Sequence, residues 1–187
     1  YCTFSAAISF VNFIVIRISV YSKYRIFVLE VTAFLYQGLK RILFLFDPEN
    51  VHTRMVCFGE LLGKISVIKN ILRIFCKQKY PSLKQTLSGI TFNTPIGLSA
   101  GFDYEGKLTQ ILEPVGFGFQ TVGTISNISC EGNQKPRLGR LPKSKSLLVN
   151  KGFRNPGADQ IVQKLNNKIF YVPVGISVGR TNIESVN

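Results

Sequence analysis

Strand-like and helix-like patterns alternate along the chain after Pro81, and this alternation constrains the fold more than any other feature. Two short runs, Thr86–Phe92 and Thr94–Ala100, predict strands. The elements predicted after them are a helix over Gly106–Val115, a strand over Gly118–Ile125, a helix over Ala158–Asn166 and a strand over Val172–Val178. Strands and helices that alternate at this spacing are typical of βα units, which build a parallel sheet. The predicted fold class is therefore α/β.

The length of this region indicates how much of a closed fold it supplies. A complete (β/α)₈ barrel of the TIM type needs about 250 residues. Residues 91–187 suffice for about three units at roughly 30 residues each. We therefore expect a domain over 81–187 that forms the first three or so units of such a barrel.

The residues before this domain are apolar and basic. The chain of 187 residues has a net charge of +13, only 18% charged residues, and 45% hydrophobic residues. The basic excess is greater in residues 1–90 than in 91–187, which favours an anionic membrane surface as partner. Nucleic acid is the other usual partner of a basic protein, but no zinc-finger or RRM motif is present and the basic residues stand among Ile, Leu and Phe. The sequence therefore does not favour nucleic acid.

The segment 1–33 contains a nearly continuous apolar run over residues 4–22, interrupted by Asn12 and Arg17. Its length is about that of a membrane span, although a charge within the hydrocarbon is costly. The basic start and small-residue cleavage site of a signal peptide are not evident. Two interpretations stay open, a membrane helix and a non-native extension translated from upstream of the true start.

The segment 34–80 is predicted to form an amphipathic helical hairpin. Large apolar residues recur at spacings of three and four over 34–46, which predicts a first helix. Asp47, Pro48 and Glu49 are typical of a helix start, and a second apolar period runs from Met55 to Phe75. Two basic amphipathic helices suit a membrane interface. The alternative is an ordinary helical subdomain that packs on the rest of the chain.

Small residues end three of the predicted strands. Ser99, Ala100 and Gly101 end one, Thr124 lies at the end of the next, and Ser177 at the end of a third. Small residues at the carboxyl ends of barrel strands let the backbone approach a flat ligand closely. A tight turn explains any one of these strand ends, but three of them together predict one shared ligand platform.

The cysteines do not indicate a metal site. Cys2, Cys57, Cys76 and Cys130 are scattered without metal-ligand spacing, and the chain has one histidine. We therefore expect reduced thiols, with no disulfide framework and no metal.

Six motifs follow one another between Leu45 and Asn182. They are Leu45–His52 (LFDPENVH), Asn93–Gly106 (NTPIGLSAGFDYEG), Gly116–Thr124 (GFGFQTVGT), Gly132–Pro142 (GNQKPRLGRLP), Asn150–Gly157 (NKGFRNPG) and Gly175–Asn182 (GISVGRTN). In this order they resemble the class 2 dihydroorotate dehydrogenases, which are membrane-associated and reduce quinone. The chain is identified as the N-terminal part of a divergent member of that family.

This resemblance implies a fold and an activity. The family has an FMN-binding (β/α)₈ barrel preceded by a helical hairpin that touches the membrane. The implied reaction is oxidation of dihydroorotate to orotate in pyrimidine (UMP) biosynthesis, with FMN as cofactor and quinone as electron acceptor. The implied location is the cytoplasmic face of a membrane. Two other interpretations stay open: a non-catalytic relic or membrane-associated binding module of the family, and an FMN barrel enzyme acting on a different small acid.

The resemblance also implies roles for individual residues. The residues implied to contact the cofactor are Ser99, Ala100, Gly101, Thr124 and Ser177. Those implied to contact the substrate are Tyr104, Asn150, Lys151, Gly152 and Phe153. His52 and Arg140 are implied on the quinone side, whereas the residues alone would make His52 a helix-terminal surface residue.

The chain departs from the family pattern at several of these positions. Tyr104 replaces the lysine that follows GFD, Ser177 replaces an asparagine, and Arg180 replaces a lysine. An ungapped match places Val149, not Asn150, at the family's substrate-loop asparagine. A compensating cation is expected from Lys107 or Lys151.

The family's catalytic base, its second flavin-contacting lysine and its glycine-rich phosphate site belong to the second half of the barrel. No residue of this chain is therefore assigned as catalytic, and we expect the chain by itself to be inactive.

Overall fold

The computed structural model describes residues 30–31, 33–76 and 81–181. The apolar run over 4–22 lies outside these residues, so its two interpretations stay open. The chain divides into two units, Tyr1–Asp47 and Pro48–Asn187, each described by itself.

The first unit contains one described helix, α1, over residues 33–43, and residues 30 and 31 are also helical. The helix predicted over 34–46 therefore ends three residues earlier. The backbone N–H groups of Leu45 and Phe46 donate to the carbonyls of Ile42 and Leu43, at 3.1 and 3.3 Å. Bonds of this three-residue type tighten the last turn and end the helix.

The second unit begins with helix α2, Pro48–Lys64, which starts at the predicted Asp47-Pro48-Glu49 signal. The single helix predicted from Met55 to Phe75 is wrong, because the chain is extended at Ile65 (φ −97°, ψ 107°) and a new helix, α3, covers Ser66–Phe75. Val56 and Leu62 of α2 and Leu72 of α3 pack on one apolar cluster, which requires the chain to bend between the helices. The hairpin of this region with 34–46 stays a prediction.

A β-hairpin replaces the single strand predicted over Thr86–Phe92. Strand β1 (Gln85–Leu87) pairs antiparallel with strand β2 (Ile90–Phe92). Ser88 and Gly89 between them have positive φ angles, 50° and 78°. Two residues with positive φ form the type I′ turn that matches the twist of a hairpin.

The predicted parallel sheet is confirmed. It consists of β3 (Gly97–Leu98), β4 (Phe119–Ile125) and β7 (Val174–Val178), in the order β3-β4-β7. Both neighbouring pairs are parallel. Strand β3 is shorter than the predicted Thr94–Ala100, while β4 and β7 agree with prediction to within two residues. The α/β class follows, and closure into a barrel stays a prediction.

The helix predicted over Gly106–Val115 is wrong, because this segment forms a succession of turns. Leu112 and Val115 donate to carbonyls four residues earlier, but Ile111 donates to the carbonyl three residues earlier. Pro114 has no backbone N–H and interrupts a regular ladder. The apolar residues of this segment still build the core, where Leu108, Ile111 and Leu112 are buried with Val56 of α2.

A short 3₁₀ helix covers Pro81–Leu83 before β1, and the other elements lie between β4 and β7. Strands β5 (Leu138–Leu141) and β6 (Ser146–Val149) form an antiparallel hairpin that the sequence analysis did not predict. Helix α4 (Ala158–Leu165) confirms the predicted helix, and its Ile161, 1% exposed, packs on Val122 and Ile125 of β4. Across the described ranges, no helix combines the length and the hydropathy that a membrane span requires.

Candidate functional site

The carboxyl ends of the three parallel strands meet, as the sequence predicts. The backbone N–H of Gly101 donates to the carbonyl of Gly123 at 2.6 Å, which joins the ends of β3 and β4. The hydroxyls of Thr124 and Ser177 are 3.0 Å apart and join β4 to β7. We call Ser99, Ala100, Gly101, Thr124 and Ser177 the platform.

Glycine is required where the platform strands approach each other. Gly123 has a φ of +119°, and a Cβ built on it would lie 2.5 Å from the carbonyl oxygen of Ser177. Gly101 has a φ of +96°, but a Cβ there would meet no atom within 4 Å. The space beside Gly101 is therefore open, and small residues border it. This arrangement fits the flat ring system of a flavin, and contact with FMN stays a prediction.

Asp103 fixes the loop that leaves the platform. Its carboxylate accepts the backbone N–H groups of Lys107 and Leu108 at 2.8 and 2.7 Å, and the side-chain amide of Gln120 at 2.6 Å. Asp103 and Gln120 are each 1% exposed. The role of Asp103 is not visible in the sequence, because a carboxylate in a loop gives no sign of which donors it will meet.

Beyond this loop, aromatic and cationic side chains form a second group next to the platform, which we call the Tyr104 cluster. It consists of His52, Phe102, Tyr104, Lys151 and Arg154. Tyr104 is buried, 7% exposed, and its ring stacks near the imidazole of His52, with centroids 6.1 Å apart. The ammonium of Lys151 lies 4.4 Å from the centroid of the Tyr104 ring, and the Arg154 guanidinium lies 6.0 Å from it. Such distances permit cation–π attraction.

The contacts of His52 determine its protonation. Its Nε2 lies 2.9 Å from the carbonyl oxygen of Phe102, and its Nδ1 lies 3.3 Å from Nζ of Lys151. A carbonyl only accepts and an ammonium only donates, so Nε2 carries the proton and Nδ1 accepts. Burial and the charge of Lys151 lower the pKa of His52. The imidazole is therefore neutral near pH 7.

Lys151 is held close to other cations. Burial lowers the pKa of Lys151; the charge of Glu49 opposes this shift, and those of Arg154 and Arg137 add to it. Lys107, the other candidate for a compensating cation, instead pairs with Glu105 at 2.6 Å. The geometry therefore places Lys151, not Lys107, on the face of the tyrosine that replaces the family's lysine.

Glu49 anchors the first turn of α2 to the loops that carry these cations. Its carboxylate is 2.8 Å from Nη2 of Arg137 and 3.2 Å from Nη1 of Arg154. Burial by itself raises the pKa of Glu49, but the hydrogen bond and the charge of Arg137 outweigh it, so the pKa is lowered. The sequence around Glu49 indicates only a helix start, because the residues that reveal its second role, Arg137 and Arg154, are 88 and 105 residues away.

The other predicted site residues are distributed around the two groups. Asn150 is exposed and accepts a bond from the Asn133 amide at 2.7 Å. Gly152 and Phe153 both have positive φ, 68° and 53°, and form the turn after Lys151. Arg140 lies on β5 opposite Leu147. His52 and Lys151 were predicted on the quinone and substrate sides, and the structure places them in contact.

The described part of the chain offers no metal site. No group of three or more His, Cys, Asp or Glu side chains that would hold a metal ion lies within it. Cys57, Cys76 and Cys130 are free thiols.

Comparison with known proteins agrees with the resemblance of the motifs. The family model of dihydroorotate dehydrogenase matches residues 82–186. Dihydroorotate dehydrogenase (quinone) of Mycobacteroides abscessus is 38% identical over 149 residues, which cover 80% of this chain and 42% of that protein. The enzyme of the same name from a Sulfurovum species is 36% identical over 156 residues, which cover 81% of this chain and 43% of that protein.

Solved structures give the same result. The crystal structure of the Eimeria tenella dihydroorotate dehydrogenase in complex with ferulenol has a TM-score of 0.62 and 29% identity, and the match covers 75% of this chain and 38% of that one. Its ligand-free form has a TM-score of 0.53. The chain thus spans about two-fifths of the length of its curated relatives. With the family model matching more than half of its residues, this chain belongs to the dihydroorotate dehydrogenase family.

Proposed function

We propose that the chain is the N-terminal part of a quinone-dependent dihydroorotate dehydrogenase, an oxidoreductase that oxidises dihydroorotate to orotate in pyrimidine biosynthesis. The observation that carries this proposal is the position of the platform beside the Tyr104 cluster, in a chain of this family. Gly101 belongs to the platform, and Tyr104 follows it by three residues. A flat cofactor on the platform would therefore lie next to a group of cations suited to a carboxylate substrate.

FMN is the cofactor in this proposal, and when bound it accepts a hydride from the substrate and passes electrons to the quinone. The platform would hold it through its small residues and the hydroxyls of Thr124 and Ser177. The three parallel strands would be the start of a (β/α)₈ barrel. Support comes from the open space beside Gly101 and from the strand ends that meet there.

Lys151 is the residue proposed to bind the substrate carboxylate in place of the family's lysine. Its ammonium is positioned by the Tyr104 ring and by Nδ1 of His52, to which it donates a hydrogen bond. Asn150, Gly152 and Phe153 belong to the same loop and would close over the substrate. An anion would also relieve the repulsion between Lys151 and Arg154, which helps to lower the pKa of Lys151.

The quinone and the membrane complete the proposal. His52 and Arg140 would lie on the quinone side, and the basic helices of 34–80 would associate with the cytoplasmic face of a membrane. Large apolar side chains of α1 and α3 are exposed, among them Phe34 at 79% and Ile74 at 74%. Exposed apolar faces on basic helices suit a membrane interface.

The test uses the complete protein that contains this chain, with Lys151→Ala compared with Lys143→Ala, a lysine in the turn between β5 and β6. We expect Lys151→Ala to raise the KM for dihydroorotate by about tenfold or more, since a hydrogen bond to a charged group contributes roughly 1.5–3 kcal/mol. Lys143→Ala should leave KM unchanged. Orotate formation with a quinone acceptor is the measurement, and flavin absorbance reports whether FMN is bound.

Three results would contradict the proposal. Flavin bound without any orotate formation by the wild type would favour a non-catalytic relic. Turnover of a different small acid would favour another FMN barrel enzyme. An unchanged KM in Lys151→Ala would remove Lys151 from the substrate site. Residues 1–187 alone are expected to form no orotate.

A further inference from the structure

A recess of about 410 Å³ lies at the far end of α2 from His52. Its walls are the end of α2, the start of α3, the turns at 107–110 and the loop 167–171 between α4 and β7. The 12 residues from His52 to Lys64 correspond to roughly 18 Å of helix. The recess therefore lies at the opposite end of α2 from His52, with Lys107 lining both it and the space beside His52 and Tyr104, and we call it the lysine cleft.

Cross-links between its walls give the lysine cleft a defined shape. The side-chain amide of Gln110 donates to the carbonyl of Ile169 at 3.1 Å. The guanidinium of Arg73 lies 5.3 Å from the ring centroid of Tyr171 and forms an ion pair with Glu113 at 2.9 Å. Gly63 lets α2 approach closely, since a Cβ there would lie 3.2 Å from the Cβ of Gln110. These contacts hold the elements that form the walls of the cleft together.

The charges of the lysine cleft are not balanced. Four lysines line it, at positions 64, 69, 107 and 168, with one glutamate, Glu60. Glu60 pairs with Lys164 at 3.4 Å, and Lys107 pairs with Glu105 at 2.6 Å. Among the described residues, no carboxylate lies within 4 Å of the remaining three ammonium groups, those of Lys64, Lys69 and Lys168.

The environment of Lys168 shows how this excess of positive charge destabilises a lysine ammonium. The residue is half-buried, and burial together with the charges of Lys164 and Lys64 lowers its pKa, although the charges of Glu60 and Asp103 oppose this shift. A cation that is partly desolvated among like charges is stabilised when an anion joins it. The three unpaired lysines therefore form a site that is complementary to an anion.

We propose that the lysine cleft binds a phosphate-bearing ligand. Lysine ammonium groups bind phosphate as point charges, and a phosphate group brings the negative charge that the three lysines lack among the described residues. The volume of about 410 Å³ lies within the range of small-molecule sites, roughly 300–1,000 Å³. The phosphate comes from a soluble phosphorylated compound or from a phospholipid headgroup, and the experiment distinguishes these sources.

The experiment uses the complete protein and two triple variants. The cleft variant carries Lys64→Gln, Lys69→Gln and Lys168→Gln, and the control variant carries Lys84→Gln, Lys143→Gln and Lys145→Gln, which remove the same charge from exposed positions. Calorimetry measures binding of inorganic pyrophosphate. Sedimentation measures binding to phosphatidylglycerol vesicles, with phosphatidylcholine vesicles as reference. Circular dichroism confirms that all forms fold, and the corresponding triple Lys→Arg variant tests whether charge alone suffices.

We expect the cleft variant to lose affinity by about tenfold, because it removes three cation–anion contacts with the ligand. The Lys→Arg variant should retain binding, and the control variant should behave as the wild type. Loss of pyrophosphate binding assigns a soluble ligand. Loss confined to phosphatidylglycerol assigns a headgroup when Lys168→Gln alone, which lies outside the helices of 34–80, reproduces it. Vesicle loss that requires only the Lys64 and Lys69 changes reports the membrane-associating helices and overturns a headgroup in the cleft. The proposal is overturned when the wild type binds neither probe, or when the cleft and control variants lose equal affinity. Neither readout depends on orotate formation.

Discussion

Basic side chains lie near both ends of α2, but among the described residues they are paired with a carboxylate at only one end. At the first turn, Arg137 and Arg154 meet the buried carboxylate of Glu49. At the last turn, Lys64 points into the lysine cleft with Lys69 and Lys168, and no carboxylate of the described residues pairs with them. The difference teaches that a paired cation holds the fold together, whereas an unpaired cation costs stability and is available to a ligand. Lys151 is intermediate, because its ammonium is positioned by the Tyr104 ring and the His52 imidazole and not by a carboxylate.

Removal of the anionic partner at the first turn should have the largest effect. Glu49→Gln would leave Arg137, which is only 6% exposed, without its counter-charge. We expect a loss of about 3 kcal/mol in the free energy of unfolding, because an uncompensated buried charge is strongly destabilising. Urea unfolding of the complete protein measures this loss. Glu131→Gln, at an exposed carboxylate, is the matched control and should change stability by less than about 0.5 kcal/mol. Equal losses of stability in both variants would show that the ion pair of Glu49 with Arg137 does not stabilise the fold in the way proposed for the first turn of α2.

The same pair should give the protein an acid-sensitive step. The Arg137 guanidinium holds the pKa of Glu49 below its ordinary value of 4.5, so the unfolded chain binds the proton more readily than the folded chain. The stabilisation is therefore complete above pH 4.5 and is lost as the pH falls through the folded pKa. The midpoint of urea unfolding, followed from pH 6 downwards, should fall more steeply for the wild type than for Glu49→Gln. Parallel curves would show that Glu49 is not the group responsible.

The smallest effect on stability should come from Lys168 in the lysine cleft. Its dependence on pH should have the opposite cause to that of Glu49, because here the charged form is the one that folding disfavours. The pKa of Lys168 is lowered, so the folded chain holds this proton less tightly than the unfolded chain. Stability should therefore rise as the pH approaches 10.5 from below, and Lys168→Gln should reduce that rise. At pH 7 we expect Lys168→Gln to stabilise by about 0.5 kcal/mol or less, since the side chain is partly solvated. A thermal unfolding midpoint that falls in Lys168→Gln would show that this lysine has a stabilising partner.

The sequence by itself determined the elements whose signals are local. The start of α2 follows from Asp47, Pro48 and Glu49, and the alternating strand-like and helix-like patterns after Pro81 predicted α4, β4 and β7. The small residues at three strand ends predicted the platform, because parallel strands place their carboxyl ends at one edge of a sheet. The motifs were sufficient to identify the family.

Some local signals were present but outweighed by apolar periodicity. Ser88-Gly89 is a turn signal within the strand predicted over Thr86–Phe92, and Pro114 interrupts the helix predicted over Gly106–Val115. Periodicity reports which residues are buried, and Leu108 and Ile111 are indeed buried. It does not report whether each backbone N–H finds its partner four residues earlier.

Only the tertiary structure decided which charged residues meet. His52 and Lys151 are 99 residues apart in sequence, and Glu49 and Arg154 are 105 apart, yet they are hydrogen-bonded. The sequence offered Lys107 and Lys151 equally as the cation near Tyr104, and the fold pairs Lys107 with Glu105. The lysine cleft likewise needs the bend at Ile65 and the loop before β7. Spacing along a chain fixes which face of an element a residue occupies, but the packing of elements fixes whether a charge is compensated.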